Sequence, residues 1–155
     1  MTEQEPREKV IATNRKAFFK YEILEHVEAG VLLVGTEVKS IREGGFNFSD
    51  AYVNFKNGEL FLEGCRIGPY SHGNRMNHAE GRTRKLLLHK REILKLGGRA
   101  TERGLTIVPL KAYFKNGRVK LEIGLARGKR AHDKRESIKR KDLEREARQA
   151  MRERR

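Results

Sequence analysis

The sequence predicts a small, mainly β domain: a closed antiparallel barrel of OB type, with short helices at its flanks and a basic tail behind it. Three observations carry this. Segments of strict apolar–polar alternation recur through the middle of the chain, as in "RVKLEIGL" (118–125), and a period of two marks a half-buried strand. Two "FKNG" turns, ending at Gly58 and Gly117, join such segments, and Asn-Gly favours tight hairpins because both residues tolerate positive φ. All 11 Phe and Tyr lie between Phe18 and Phe114, so the end of the chain lacks the side chains that dominate small cores. Closure into a barrel would remove the exposed edges that a free sheet of this size carries. A half-open α+β sheet is the alternative.

The elements follow in order. Residues 1–13 are polar and read as an N-terminal arm. "KAFFKYEILEHV" and "GVLLVG" read as strands. "TEVKSIREGG" reads as a short helix with Thr36 as N-cap, Val38 and Ile41 on one face and Gly44 at its stop. "EGGFNFSDAY" sets Phe46 and Phe48 two apart, which suits core packing better than a stacking platform. "AYVNFKNGELFLEG" is a hairpin about Asn57–Gly58. "RTRKLLLHKR" is a Leu run destined for the core, with Arg82, Arg84, Lys85, Lys90 and Arg91 as a basic edge. "HKREILKLGG" is a second helix, with Ile93, Leu94 and Leu96 and a stop at Gly97. "LTIVPLKAYF" changes phase at Pro109, as expected of a bulge or edge position. The domain spans residues 14–126.

Residues 127–155 form the tail. They hold 13 Lys or Arg against 6 Asp or Glu, which is half of the chain's net charge of +14. After Gly128 there is no Gly or Pro, and strong helix formers dominate. Leu143, Ala147, Ala150 and Met151 make a thin apolar stripe. A short, highly charged helix is marginal alone in water, so the tail is expected to become helical on meeting a partner.

Composition narrows the function. Net charge of +14 and a pI near 10.2 point to a polyanionic partner. Cys65 is the only cysteine, which excludes an intramolecular disulfide and a Cys-based zinc site and suits the cytoplasm. The polar start "MTEQEPREKV" does not resemble a signal peptide, and no apolar run reaches the roughly 18 residues of a membrane span. His72 and His78 lie six apart in "HGNRMNH", but a zinc site would need two more ligands. No phosphate-cradling loop is present, since Gly35 and Lys39–Ser40 have the wrong spacing. His132–Asp133 in "GKRAHDKRESIKR" invites a catalytic reading, yet no Ser or Cys nucleophile lies in a recognisable elbow. An imidazole among basic residues also suits stacking on a base, or simple solvation in a spacer.

Taken together, "ATNRKA", "EAGVLLVGTEVKSIREG", "DAYV", "GNRMNH", "RTRKLLLHKREI" and "TIVPLKAYFKNGRVKLEIGLARGKRAHDKRESIKR" resemble, in the same order from about Ala12 to Arg140, the SsrA-binding protein family, SmpB. The resemblance implies a bacterial, non-enzymatic protein with an OB-like barrel and three helices. Such a protein needs no cofactor, metal or small-molecule substrate, and works as a monomer away from membranes. Its implied partners are the tRNA-like part of tmRNA and the small-subunit rRNA of ribosomes stalled on messages without a stop codon. The tmRNA surface would comprise Asn14, Arg15, Lys16, Tyr21, Glu28, Arg84, Lys85, Leu87, His89 and Lys90. A carboxylate on an RNA surface repels phosphate, but Glu28 can accept hydrogen bonds from base amino groups or 2′-hydroxyls, or orient a nearby Arg. The tail, through Lys129, Arg130, His132, Asp133, Lys134, Arg135, Lys139, Arg140 and Met151, would occupy the decoding region and the empty mRNA channel. On that resemblance, His132–Asp133 belongs to an rRNA-reading tail and not to an active site. A general RNA-binding barrel and a nuclease using His132 or His78 are the competing readings. A membrane-bound tail is weaker, because it lacks Trp and Phe anchors.

Overall fold

A computed structural model describes residues 8–73, 77–102, 104–129 and 131–153. Arg130, Asn74–Met76 of "GNRMNH" and the first seven residues of the expected arm lie outside these, as do the side chains of residues 131–138. The order of elements is β1 (Glu8–Thr13), α1 (Arg15–Lys20), β2 (Tyr21–Val31), α2 (Gly35–Arg42), β3 (Phe46–Asn47), β4 (Tyr52–Lys56), β5 (Glu59–Glu63), β6 (Arg66–Ile67), β7 (Arg84–Leu87), α3 (Lys90–Ala100), β8 (Leu105–Lys115), β9 (Arg118–Gly128) and α4 (Ala131–Glu153). The protein is mainly β, as the alternation predicts.

The expected closure does not occur. The main sheet has seven strands in the order β1-β8-β9-β2-β7-β5-β4, so β1 and β4 are its two edges, and β3 pairs with β6 separately. All its neighbouring strands are antiparallel. Val119, Leu121, Ile123 and Leu125 of β9 face the main core, together with Leu60, Leu62, Leu86 and Ile107. Both Asn-Gly turns form as expected: Asn57–Gly58 and Asn116–Gly117 take positive φ at both positions and close β4–β5 and β8–β9. The β8–β9 register slips between Pro109 and Lys111, which is the bulge the phase change foretold. Phe48 is buried and meets Phe46 edge-on at 4.9 Å, so this pair is core.

Four local readings are corrected. Residues 8–13, placed in the polar arm, form β1 against β8. Lys16–Lys20, read as the start of a strand, belongs to the helix α1. Asn14 explains it: its Oδ1 accepts from the Ala17 N–H, its Nδ2 donates to the Pro109 carbonyl at 2.8 Å, and its own N–H donates to Leu110. That cap satisfies an orphan donor of the first turn and ties the helix to β8. The cap of α2 is Val34 rather than Thr36, and the Glu37 carboxylate accepts from the Val34 N–H at 2.9 Å. Finally, α3 runs through Gly97 to Ala100. Gly97 marks close packing instead of a stop, because a Cβ there would lie 2.5 Å from the Phe55 ring, whereas one on Gly98 would meet nothing. In a helix Ala is favoured over Gly by up to about 1 kcal/mol. Gly98→Ala is therefore expected to raise the unfolding free energy. Gly97→Ala is expected to lower it by about 1–3 kcal/mol through overpacking. Denaturant melts of the two variants check the contrast, and equal shifts would remove the packing account.

The outer face of the sheet is divided by α1. Ala17 packs with Val108, Leu110 and Ala126, and with Tyr21 and Ile23, in a second small core. Gly124 permits this: a Cβ there would sit 2.8 Å from Leu110 and 3.0 Å from Ile23. α1 thus covers one end of the outer face and leaves the rest open.

Candidate RNA interface

On the open part of that face lies a groove of about 530 Å³ lined by Glu28, Gly30, Leu87, Leu88, His89, Glu92 and Lys120. Strand pairing builds it. Gly30 of β2 stands opposite both Leu87 of β7 and Lys120 of β9, and a Cβ on Gly30 would press to 3.2 Å on Leu87, so glycine keeps the groove open. Leu87 remains 46% exposed, which costs hydrophobic free energy unless something covers it. His89, Lys90 and Arg91 are exposed around the start of α3. Lys85 pairs with Glu59 at 2.9 Å.

Glu28 sits at the rim as an anchored carboxylate. The Tyr113 hydroxyl donates to its Oε2, and the Lys115 ammonium lies 3.2 Å from Oε2 and 3.4 Å from Oε1. The Tyr113 hydrogen bond lowers the Glu28 pKa; burial opposes this, and Lys115 and Lys120 add to the lowering. Burial, then the Glu28 contact, raises the Tyr113 pKa. Glu28 is therefore ionised at neutral pH and acts as a hydrogen-bond acceptor. Its partners are a tyrosine and a lysine, not the arginine that was the other expectation.

The remaining expected tmRNA residues fall elsewhere. Tyr21, at the other end of β2, is about 23 Å from Glu28 at the usual rise per residue. Lys16 and Tyr21 line a smaller groove with Ser49, Asp50 and Tyr52, and Lys16 faces Asp50 at 3.8 Å. Arg15 lines a wider groove between α1 and α4 with Phe18, Lys141, Glu144, Arg145, Arg148 and Gln149. Asn14 lines the same groove as Lys16 and Tyr21, but it is only 9% exposed and its side chain is engaged in the α1 cap.

Arg84 is the clear correction. It is fully buried and cannot belong to a basic RNA-facing edge. In β7 the period of two points Arg84 and Leu86 inward and Lys85 and Leu87 outward. The Arg84 Nε donates to Glu37 Oε2 at 2.6 Å, and its other nitrogens donate to the carbonyls of Cys65, Arg82 and Glu80. Arg82 pairs with the other Glu37 oxygen. Lys120, Tyr113 and Lys115 are the residues that sequence reasoning missed. Lys120 was legible as outward-facing in "RVKLEIGL", but nothing local says that β9 lies beside β2.

Two of the histidines that the sequence singled out, His72 and His78, make defined contacts. His78 contacts Thr36 Oγ1 at 3.0 Å and the Ile67 carbonyl at 2.9 Å, so both its ring nitrogens are engaged within the fold. His72 stacks edge-on against Tyr70. No group of three or more His, Cys, Asp or Glu that could hold a metal occurs among the described residues. Burial pushes the Cys65 thiol up to about 11, so it is a poor nucleophile at neutral pH.

In the tail, Ala131–Glu153 form the helix α4, and the Lys129 N–H donates to the Lys20 carbonyl at 2.9 Å. Lys139 and Arg140 are exposed, Leu143 is 56% exposed and Met151 is 75% exposed. The apolar stripe is therefore uncovered. The backbone of His132, Asp133, Lys134 and Arg135 lies in the first turns of α4, and their side chains are outside the described set. No helix of the described residues is long and apolar enough to cross a membrane.

Known proteins share this sequence through both the sheet and the tail. The family model for SmpB protein matches residues 11–153. The chain is 54% identical over 147 residues to an SsrA-binding protein of Carboxydothermus hydrogenoformans, covering 95% of this chain and 99% of that one. It is 56% identical over 139 residues to an SsrA-binding protein of a Sulfurihydrogenibium species, covering 90% and 91%. A solved structure described as "tmRNA-SmpB: a journey to the center of the bacterial ribosome" is 48% identical, with a TM-score of 0.65, covering 82% of this chain and 93% of the other. A match that runs through the Glu28 groove, the buried Arg84 and most of α4 leaves one assignment: this chain belongs to the SmpB protein family.

Proposed function

We propose that this protein binds tmRNA and carries it to stalled ribosomes for trans-translation, acting in the cytoplasm as an RNA-binding adaptor rather than an enzyme. The observation that carries this reading is identity above 50% to SsrA-binding proteins over nearly the full length of both chains. The open face of the sheet receives the tRNA-like part of tmRNA. Glu28, Leu87, His89 and Lys90 lie at one end of that face, with Lys85 on the same strand as Leu87. Arg15, Lys16 and Tyr21 lie at the other, a spacing on the scale of several nucleotides. α4 and the segment before it, Lys129 to Arg140 with Met151 further on, enter the decoding region and the empty mRNA channel. There the basic residues meet rRNA phosphate and the uncovered stripe finds its partner. Recovery and sequencing of RNA bound to the protein from bacterial extract tests the reading. Enrichment of tmRNA supports it, and enrichment of bulk rRNA or mRNA alone would remove it.

The basic residues at α1 make a quantitative test. Each phosphate contact adds roughly 0.7–0.9 to the slope of log K against log salt. The double variant Arg15→Ala, Lys16→Ala is expected to lower the slope for tmRNA by about 1.5. An unchanged slope would take α1 out of the interface.

A further inference from the structure

We infer that Tyr113 and Lys115 are positioning residues for RNA recognition: they clamp the Glu28 carboxylate so that it meets the RNA as a fixed hydrogen-bond acceptor. The inference rests on the reading of the Glu28 groove as a tmRNA contact and assigns a role to two residues outside it.

A glutamate on an RNA-binding face is a liability unless it is held. Its charge repels phosphate, and its free side chain would lose rotamer entropy on binding. Here both costs are reduced before RNA arrives. Tyr113 is 5% exposed, on β8 between β1 and β9, with the Lys111 ammonium 5.2 Å from its ring centre. Its hydroxyl reaches Oε2, and Lys115 reaches both oxygens. A carboxylate has about four acceptor sites. The tyrosine and the lysine leave capacity on Oε1, the oxygen with only the longer Lys115 contact. Lys115 and Lys120 offset the charge, so the local field remains tolerable to phosphate. An oriented acceptor of this kind selects a donor: a base amino or imino group, or a ribose 2′-hydroxyl. It rejects a bare phosphate oxygen, which has no proton to give. The contact therefore supplies discrimination, while the surrounding cations supply attraction.

The core does not need the tyrosine hydroxyl. The ring supplies the packing, and phenylalanine would retain it. That separation makes the test clean. Affinity of the full-length protein for tmRNA, and for an unrelated RNA duplex, is measured for wild type, Tyr113→Phe, Glu28→Gln and the double variant. Tyr113→Phe is expected to melt near the wild-type temperature, to bind tmRNA about tenfold more weakly and to bind the duplex unchanged. Its salt slope should not change, since no charge is removed. The double variant should bind no more weakly than Glu28→Gln alone, because the tyrosine acts through that carboxylate. Wild-type tmRNA affinity in Tyr113→Phe, or independent effects in the double variant, would overturn the inference while leaving the tmRNA reading intact. Should Tyr113→Phe fail to fold, Lys115→Met takes its place in the same cycle and is judged by the same coupling. A wild-type protein that binds tmRNA no better than the duplex would overturn the functional reading itself, and the inference with it.

Discussion

Truncation after Gly128 is expected to give a protein that melts near the wild-type temperature, still binds tmRNA and releases no stalled ribosome. Every buried residue of both cores lies at or before Ala126, so removing α4 takes away no described core contact. Folding stability depends on that burial, and the exposed α4 side chains contribute little to it. The groove at Glu28 and the basic residues of α1 also remain. What disappears is nearly half of the net charge and the segment proposed for the decoding region. Non-specific RNA affinity should therefore fall with the lost cations while the tmRNA preference survives. The measurements are a thermal melt, a tmRNA titration and a peptide-tagging assay on ribosomes stalled at a message end. Loss of the melt would show that the tail is part of the fold, and normal tagging would show that it is dispensable. Within the intact chain, Leu143→Pro separates shape from charge. It breaks α4 at a cost of about 3 kcal/mol without altering a charge. Tagging should collapse while tmRNA binding persists. Normal tagging by this variant would mean that α4 works as a flexible basic strand.

Arg84→Met is expected to destabilise the fold by about 3–5 kcal/mol, the usual cost of leaving one member of a buried ion pair without its partner. Total stabilities of domains this size run about 5–15 kcal/mol, so the variant is expected to lose much of its margin. Glu37 and Arg84 are both 0% exposed, and Glu37 would keep only Arg82 and the Val34 N–H. The Cys65, Arg82 and Glu80 carbonyls would lose their donor at the same time. Denaturant unfolding measures the change, and a loss below about 1 kcal/mol would indicate that the site relaxes around the hole. Replacing both charges, Glu37→Leu with Arg84→Met, should recover part of the loss, since an apolar pair of similar volume often substitutes well for a buried salt bridge. Acid gives an independent check. Burial alone would raise the Glu37 pKa, but the hydrogen bonds from Arg82, Val34 and Arg84 outweigh it and set the folded value below 4.5. A depressed carboxylate contributes stability that is present above its unfolded pKa and is lost as pH falls through the folded one. Wild type should therefore shed stability below about pH 4.5 through this group, and Glu37→Gln should show a shallower acid limb.

Both sets of variants bear on how the chain encodes its structure. The sequence by itself determined what depends on neighbours along the chain. The alternation of β9 names its buried residues, because side chains of a strand point to opposite faces in turn. The two Asn-Gly pairs name the hairpins, because few residues accept the positive φ that a two-residue turn demands. The composition after Gly128 names a helix and denies it a core. Even the burial of Arg84 was present in the parity of "RKLL", though the rule that arginine belongs outside concealed it.

The tertiary structure alone decided which strands meet. That β2 lies between β9 and β7 brings Glu28, Leu87 and Lys120 to one groove from three distant segments, and the β8–β9 register sets Tyr113 opposite Lys120. It also left the sheet open where closure was expected, since pairing of the edges requires a register that no local pattern states. α1 shows the limit most plainly. Six residues rich in lysine and phenylalanine have little helical drive of their own, because nucleation is costly and the helix is too short to repay it. They are helical because Asn14 caps them and bonds to Pro109 and Leu110, 95 residues further on for the first of these. A contact at that separation exists only once the chain has folded, and no reading of the residues around Asn14 contains it.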